Sequence, residues 1–271
     1  MSRFAKTCGL LLAGLCGAAL ARPQAETGKV EITVTDKATG KPIPCRIHLK
    51  DSAGKPQRAG KLPFWHDHFV CDGTVKLELP AGQYTIEVER GLEYALHTDS
   101  FTLDAGEKKL DIQLKRLVDM PTEGWWPGDL HVHRPVGDIE LLIQAEQLYV
   151  APVITWWNKQ NPWAKEQLPD NPLVRFDGNR YYHVLAGEDE REGGALLFFN
   201  LKKPLEITAA TREYPSPLAF AEEARKTKGA WIDAEKPFWW DVPVWVAAGQ
   251  VDSIGIANKH MCRDRMYEDE A

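Results

Sequence analysis

The sequence predicts two folded parts: an all-β antiparallel sandwich over residues 26–117 and an α/β domain over residues 118–271. Apolar and polar residues alternate in the first part, whereas strands separated by helices are predicted after Arg116. A length of 271 residues is also sufficient for about two domains. With 44% hydrophobic and 27% charged residues, the composition is that of an ordinary globular protein.

The first residues have the features of an export sequence. Arg3 and Lys6 precede an apolar run that ends in Ala-Leu-Ala at 19–21. That run is too short to cross a bilayer of about 30 Å. We therefore expect residues 1–21 to be a signal peptide, the protein to be secreted or periplasmic, and no stable membrane insertion. The net charge of −6 and the lack of a basic run give no indication of a nucleic-acid partner.

Short segments of alternating polarity, separated by turn residues, predict the sandwich. They are residues 30–34, 45–49, 75–79, 84–88 and 110–114. Cys45 lies in one of these segments and Cys71 lies between two of them. The two cysteines could form a disulfide, or each could be buried as a small apolar side chain.

Two segments of the sandwich resemble a known module. Residues 34–44 and 79–84 are similar to the carboxypeptidase regulatory-like (transthyretin-like) module. The resemblance implies a non-catalytic accessory role for residues 26–117. An H-x-H pair, His66 and His68, lies in a predicted loop of this part, and we interpret it as a surface or interdomain contact.

The second part alternates between predicted strands and helices. Ser216 and Pro217 have the residue types of a helix N-cap and first turn, and Gly229 is expected to end that helix. The predicted strands cover residues 129–132, 150–155, 182–186, 196–200, 230–232 and 251–256, with another helix at 138–147. Such alternation predicts a parallel sheet whose strands end at one common rim, where ligands bind.

Polar and aromatic residues follow these strands and should meet at that rim. They are His131, His133, Trp156, Trp157, Asn158, Glu188, Asp233, Glu235, Asn258 and His260. Two histidines at i and i+2 of a strand point to the same face, so both imidazoles can reach one metal ion. An acidic residue beside them completes a plausible His₂-carboxylate site.

The segment 128–133 (GDLHVH) resembles the PHP superfamily, in particular its CehA/McbA-like metallohydrolase branch. The resemblance implies a distorted β/α barrel in which divalent metals activate water against phosphoesters, esters or amides. His131 and His133 match the family's opening metal pair, and Glu188 matches its bridging glutamate. Asp138 falls near another family ligand. The cofactor is then a divalent metal such as zinc, manganese or iron, with Asp138, Asp233 or His260 completing its coordination.

The chain departs from the family pattern at several positions. Trp156 and Trp157 stand where the family has a ligand histidine, and Gly194 and Ala195 replace another. The family's late Asp-x-His pair has no counterpart before Ala271. We therefore expect an incomplete PHP-like barrel in a partial chain, with at most one tightly bound ion per chain.

These observations lead to two main functional hypotheses. The first is a metal-dependent hydrolase with Glu188 and Asp233 as catalytic residues. Its small-molecule or carbohydrate-like substrate would be contacted by Trp156, Trp157, Asn158 and Trp239. The alternative is a non-catalytic protein that binds a carbohydrate or a cell surface with the same aromatic residues. A third hypothesis is an extracellular structural protein in which the sandwich is the working part.

Overall fold

The structure is a computed structural model that describes residues 26–208, 211 and 214–256. The predicted signal peptide at 1–21 and the predicted metal ligand His260 lie outside the described residues. Most of the regular structure in the described ranges is β-strand. No helix within these ranges is both long and apolar enough to cross a bilayer.

Eight strands form the first part of the structure. They are β1 (Thr27–Asp36), β2 (Cys45–Asp51), β3 (Phe64–Trp65), β4 (His68–Cys71), β5 (Thr74–Pro80), β6 (Gly82–Glu89), β7 (His97–Leu103) and β8 (Glu107–Leu114). One sheet has the order β5-β1-β8 and the other has the order β3-β4-β2-β6-β7. A continuous cluster of buried side chains includes Ile32, Ile47 and Ile86 from both sheets. The two sheets therefore pack face to face.

The β-rich character predicted for this part is confirmed. In β1, β2, β5 and β6, buried side chains alternate with more exposed ones, as period-two patterning requires. One pairing differs from the predicted antiparallel arrangement, because β1 and β8 run parallel with Ile32 opposite Leu110. The strand before β8 belongs to the other sheet, so the chain crosses between sheets and no hairpin imposes an antiparallel pair.

The described residues of the second part form six strands and three short α-helices. They are α1 (Ile139–Ala145), β9 (Val150–Trp157), β10 (Leu173–Phe176), β11 (Arg180–Arg191), β12 (Gly194–Phe199), α2 (Pro217–Arg225), β13 (Trp231–Glu235), α3 (Val242–Ala247) and β14 (Ser253–Ile254). The central strand is β11. Along one edge it pairs with β9. Along the other edge it pairs first with β10 and then, further along the strand, with β12, and the sheet continues from β12 to β13 and β14.

The predicted parallel sheet and PHP-like distorted β/α barrel are wrong for the described residues. Among the described strands of this part, β9–β11 and β13–β14 pair in parallel, whereas β10–β11, β11–β12 and β12–β13 are antiparallel. The cause is the connection between β11 and β12, which has only two residues and leaves no room for a crossover helix. The described strands form an open mixed sheet and do not close into a barrel.

The helices agree with the prediction better than the sheet of this part does. In α1, Ile139 and Ile143 are buried, one helical turn apart, on the face that packs inward. The hydroxyl of Ser216 accepts a hydrogen bond from the backbone N–H of Leu218 at 3.3 Å, as expected of an N-cap. Gly229 lies beyond this helix, which already ends at Arg225.

The end of α1 packs against the sandwich through polar contacts. Arg46 on β2 approaches the Glu146 carboxylate, with Nη1 and Oε1 3.3 Å apart. The Arg90 guanidinium donates a hydrogen bond of 2.7 Å to the side-chain oxygen of Gln147, and both groups are buried.

The structure does not test the predicted boundary near residue 117, which stays a prediction.

A close approach between β9 and β11 fixes the identity of Gly187. This residue pairs with Trp156, whose indole lies directly over the glycine backbone. A Cβ atom at position 187 would lie 1.9 Å from Cε2 of Trp156, well inside van der Waals contact. Trp156 is 1% exposed and packs parallel to Phe198, so its ring has no space into which to move. Only glycine fits at position 187.

Oxidation should join Cys45 and Cys71. The two residues lie opposite each other on β2 and β4, and their buried Sγ atoms are 3.7 Å apart as free thiols. A mild thiol oxidant such as diamide, itself reduced in the reaction, should close the bridge. The free energy of unfolding should then rise by about 3 kcal/mol, because the bridge restricts the unfolded chain. Urea unfolding of oxidised and reduced protein measures this effect.

Cys45→Ala is the control for this prediction, because it removes one thiol and should leave stability insensitive to the oxidant. Oxidised wild-type protein in which Cys45 and Cys71 can both still be alkylated would contradict the prediction.

Candidate metal centre

The segment 128–132 lies along the free edge of β9. The Asp129 N–H donates to the Val150 carbonyl at 3.0 Å, and the Ile154 N–H donates to the Val132 carbonyl at 2.8 Å. Val132 is buried against α1 and β9, so its two neighbours, His131 and His133, project to the opposite face. An extended segment docked on a strand edge therefore presents both imidazoles together.

Glu188 approaches these imidazoles from the adjacent strand. It lies on β11 opposite Trp157 and is 1% exposed. His133 Nε2 lies 2.9 Å from Glu188 Oε2, and His131 Nε2 lies 3.4 Å from Oε1. The two imidazole Nε2 atoms are 3.2 Å apart. One ligand atom from each residue thus lies within 4.8 Å of the others. The three predicted ligands His131, His133 and Glu188 are brought together.

Charged neighbours within the cluster shift the pKa values of Glu188 and His131. Burial alone would raise the pKa of Glu188, but interactions with His131 and His133 outweigh it and lower that pKa to about 2. Burial likewise opposes the charged form of His131, yet Glu188 and Glu235 together raise its pKa to about 9. The carboxylate is therefore ionised at neutral pH, and His131 carries a proton that a metal ion would have to displace.

Further acidic groups surround the three residues. Glu235 Oε1 lies 3.8 Å from His131 Nδ1. Burial and then repulsion from Glu235 raise the pKa of Asp233, and burial raises the pKa of Asp129. One oxygen each of Glu235 and Asp233 is buried without a hydrogen-bond partner among the described residues. Buried carboxylate oxygens without partners are costly, so the donor set suits a divalent cation.

The remaining predicted ligands and acid groups have different positions. Asp138 precedes α1 and does not belong to the group of converging ligand atoms. Asp233 accepts a hydrogen bond from Ser253 inside the sheet and is 2% exposed. His260 lies outside the described residues. Sequence reasoning left Glu235 out of the ligand set, although its i, i+2 spacing from Asp233 places both on one face of β13.

The predicted aromatic contacts differ in accessibility. Trp156 is buried, and its indole N–H donates to the Leu185 carbonyl at 3.1 Å. Trp157 is 37% exposed, and its ring centroid lies 5.3 Å from that of His133. Asn158 uses both amide atoms to bond the backbone of Glu190 at 2.8 Å. Trp239 is partly buried against the apolar core. Of these residues, Trp157 is therefore the one placed to touch a ligand at the cluster.

Comparison with known proteins gives no family assignment. No family model matches the chain, and no curated protein matches it. Among solved structures, the Bacillus anthracis TIE protein is 21% identical and is matched over 41% of this chain and 20% of its own, with a TM-score of 0.27. BcpA, the major pilin subunit of Bacillus cereus, is 22% identical over 33% of this chain and 30% of its own, also with a TM-score of 0.27.

A further similar structure is the group B streptococcus pilus 2b backbone protein, 16% identical over 35% of this chain and 43% of its own, with a TM-score of 0.28. The chain thus spans less than half the length of each of these three proteins.

The predicted membership of the PHP superfamily is wrong. No family model supports it, and the described strands form an open mixed sheet where the family has a barrel. The hydrolase function was implied by that membership, and it is wrong for the same reasons. The GDLHVH segment is too short to identify a family on its own. The predicted metal ligands do not depend on the family, since they also follow from residue type and spacing, and they stay a prediction.

Replacing His131 and His133 together by alanine should lower the metal content by one ion per chain. Both imidazoles supply ligand atoms to the same cluster, and Glu188 alone cannot hold an ion tightly. Purified protein loaded with zinc and then desalted can be measured by inductively coupled plasma mass spectrometry. His97→Ala, a partly buried histidine on β7, is the matched control. Equal metal content in the double variant and wild type would contradict the assignment.

Protonated His131 should stabilise the metal-free chain in a pH-dependent way. Because its pKa is raised from 6.5 to about 9, this contribution is complete below about pH 6.5 and is lost as the pH rises through about 9. His131→Gln should therefore cost more unfolding free energy at about pH 6 than at about pH 10. Urea unfolding in the presence of a chelator measures both costs. An equal cost at the two pH values would show that the imidazole is not charged in the folded chain.

Proposed function

We propose that this protein is an exported, non-catalytic binding protein that recognises a neutral carbohydrate or a similar cell-surface polymer at a metal-centred site. The observation that carries the proposal is the convergence of His131, His133 and Glu188 beside the partly exposed indole of Trp157. The export component rests on the predicted signal peptide at residues 1–21.

Three protein ligands leave an open position on a four-coordinate ion. Glu188 closes the inner side of the cluster, because its side chain is 1% exposed, whereas the side chain of His133 is 38% exposed. An ion held here would therefore direct its open position toward solvent. Hydroxyl oxygens of a sugar are suitable ligands for that position, since they can replace bound water without a change in charge.

Trp157 supplies the second part of the recognition surface. The apolar face of a sugar ring packs well on an indole, and the ring of Trp157 lies beside His133. The surrounding carboxylates Glu188, Asp233 and Glu235 offset the charge of a bound divalent ion, and the whole chain carries a net charge of −6. This charge disfavours an acidic polymer and favours a neutral ligand.

Binding to a panel of neutral polysaccharides should require both the ion and Trp157. Chelation with EDTA should abolish binding, and Trp157→Ala should weaken it about tenfold, corresponding to the loss of one stacking contact. Isothermal titration calorimetry with zinc-loaded protein provides the measurement. Metal content, measured in parallel, shows whether Trp157→Ala still holds its ion.

Trp125→Ala is the matched control, because Trp125 is 68% exposed and precedes Gly128, which pairs with the opposite end of β9 from Trp157. It should bind like wild type. Polysaccharide binding that persists in EDTA and in Trp157→Ala would overturn the proposed site, as would the absence of binding across the whole panel.

A further inference from the structure

The outer face of the sandwich carries a second group of metal-ligand side chains. His48 lies in the middle of β2 on the face turned away from the core. Asp67 lies in the two-residue turn that joins β3 to β4, and His68 begins β4. The hairpin thereby folds Asp67 and His68 toward His48, although these residues lie about twenty positions apart along the chain.

The geometry of these three side chains is close to that of a metal site. Asp67 Oδ2 lies 3.1 Å from His48 Nδ1, and Asp67 Oδ1 lies 3.1 Å from His68 Nδ1. The two imidazole centroids are 4.9 Å apart. Ligands bound to one tetrahedral zinc ion at about 2.1 Å are about 3.4 Å from each other. Small side-chain movements would therefore be enough to admit an ion.

The surroundings of His48 also fit a ligand. Its Nε2 atom is buried and makes no hydrogen bond to the described residues, and Oε1 of Glu89 is 3.5 Å away. A metal ion on Nδ1 would fix the ring proton on Nε2, where it faces the Glu89 carboxylate. Such carboxylate partners commonly orient histidine ligands. Glu89 is itself held by an ion pair with Arg46.

We propose that His48, Asp67 and His68 bind a second divalent ion of the zinc class, separate from the cluster at His131 and independent of the proposed function. The protein would then hold one ion more than the single ion per chain expected from the sequence. The Nζ atom of Lys50 now lies 3.2 Å from Asp67 Oδ2, and an ion would displace this ammonium. The Lys50 side chain is 38% exposed, so it can move into solvent. Water supplies the fourth ligand, because the Asp67 side chain is 40% exposed.

The bound ion would fix the β3–β4 hairpin to β2. Trp65 in that hairpin packs on the guanidinium of Arg134, whose carbon lies 4.8 Å from the ring centroid. Arg134 directly follows His133 in the chain. The second ion would thus stabilise a contact that reaches the segment carrying the first cluster.

Zinc titration of the metal-free full-length chain, followed by native mass spectrometry, tests the proposal. Wild type should bind two ions, whereas His48→Ala/His68→Ala and His131→Ala/His133→Ala should each bind one. The variant with all four substitutions should bind none. This design separates the second site from the first, because each pair is scored in the presence and absence of the other.

Two single variants guard against unfolding as the cause of metal loss. Asp67→Asn preserves side-chain size and should weaken zinc binding about tenfold or more in the His131→Ala/His133→Ala background, with an unchanged circular dichroism spectrum. His66→Ala removes the exposed turn histidine and should leave zinc binding unchanged. An unaltered ion count in His48→Ala/His68→Ala, or no zinc binding in His131→Ala/His133→Ala, would overturn the proposal.

Discussion

Glu188 places a negative charge inside the second sheet, at a position that solvent does not reach. A buried carboxylate is tolerated only when neighbouring groups compensate it. Here the compensation comes from His131 and His133, which lie on an extended segment held against β9 by backbone hydrogen bonds. The parallel pairing of β9 with β11 therefore has an electrostatic role as well as a packing one. If the edge segment moved away, Glu188 would lose both imidazoles that compensate its charge.

The two parts of the structure meet through charged and aromatic contacts more than through a shared apolar core. Arg46 faces Glu146, Arg90 bonds Gln147, and Trp65 stacks on Arg134. Polar contacts of this kind depend on the position of both partners and weaken steeply as they separate. A small displacement of the β3–β4 hairpin or of the end of α1 would therefore weaken the contacts between the two parts.

Local patterning predicted most of the sandwich and the two longer helices, because alternation and capping are properties of neighbouring residues. It also selected His131, His133 and Glu188 as candidate ligands, the two histidines from their i, i+2 spacing on a strand and Glu188 from its place after a predicted strand. The direction of β12 was not predictable in the same way. It depends on the two-residue connection after Arg191, and β11 extends five residues beyond the predicted end at Ala186. The His48 group was not predicted, because its members lie on β2, in the β3–β4 turn and on β4, and a single histidine on β2 forms no recognisable sequence motif.

The contact between Trp156 and Gly187 also restricts how this sequence can evolve. A side chain at position 187 cannot be accommodated until the indole has become smaller. Loss of the indole first would leave a cavity that costs about 3–5 kcal/mol, a large fraction of the stability of a typical domain. Neither single step is easily tolerated, so the two positions should change together among relatives or not at all. Glu188 directly follows Gly187 in the chain. The position of its buried carboxylate therefore also depends on the close contact between Gly187 and Trp156.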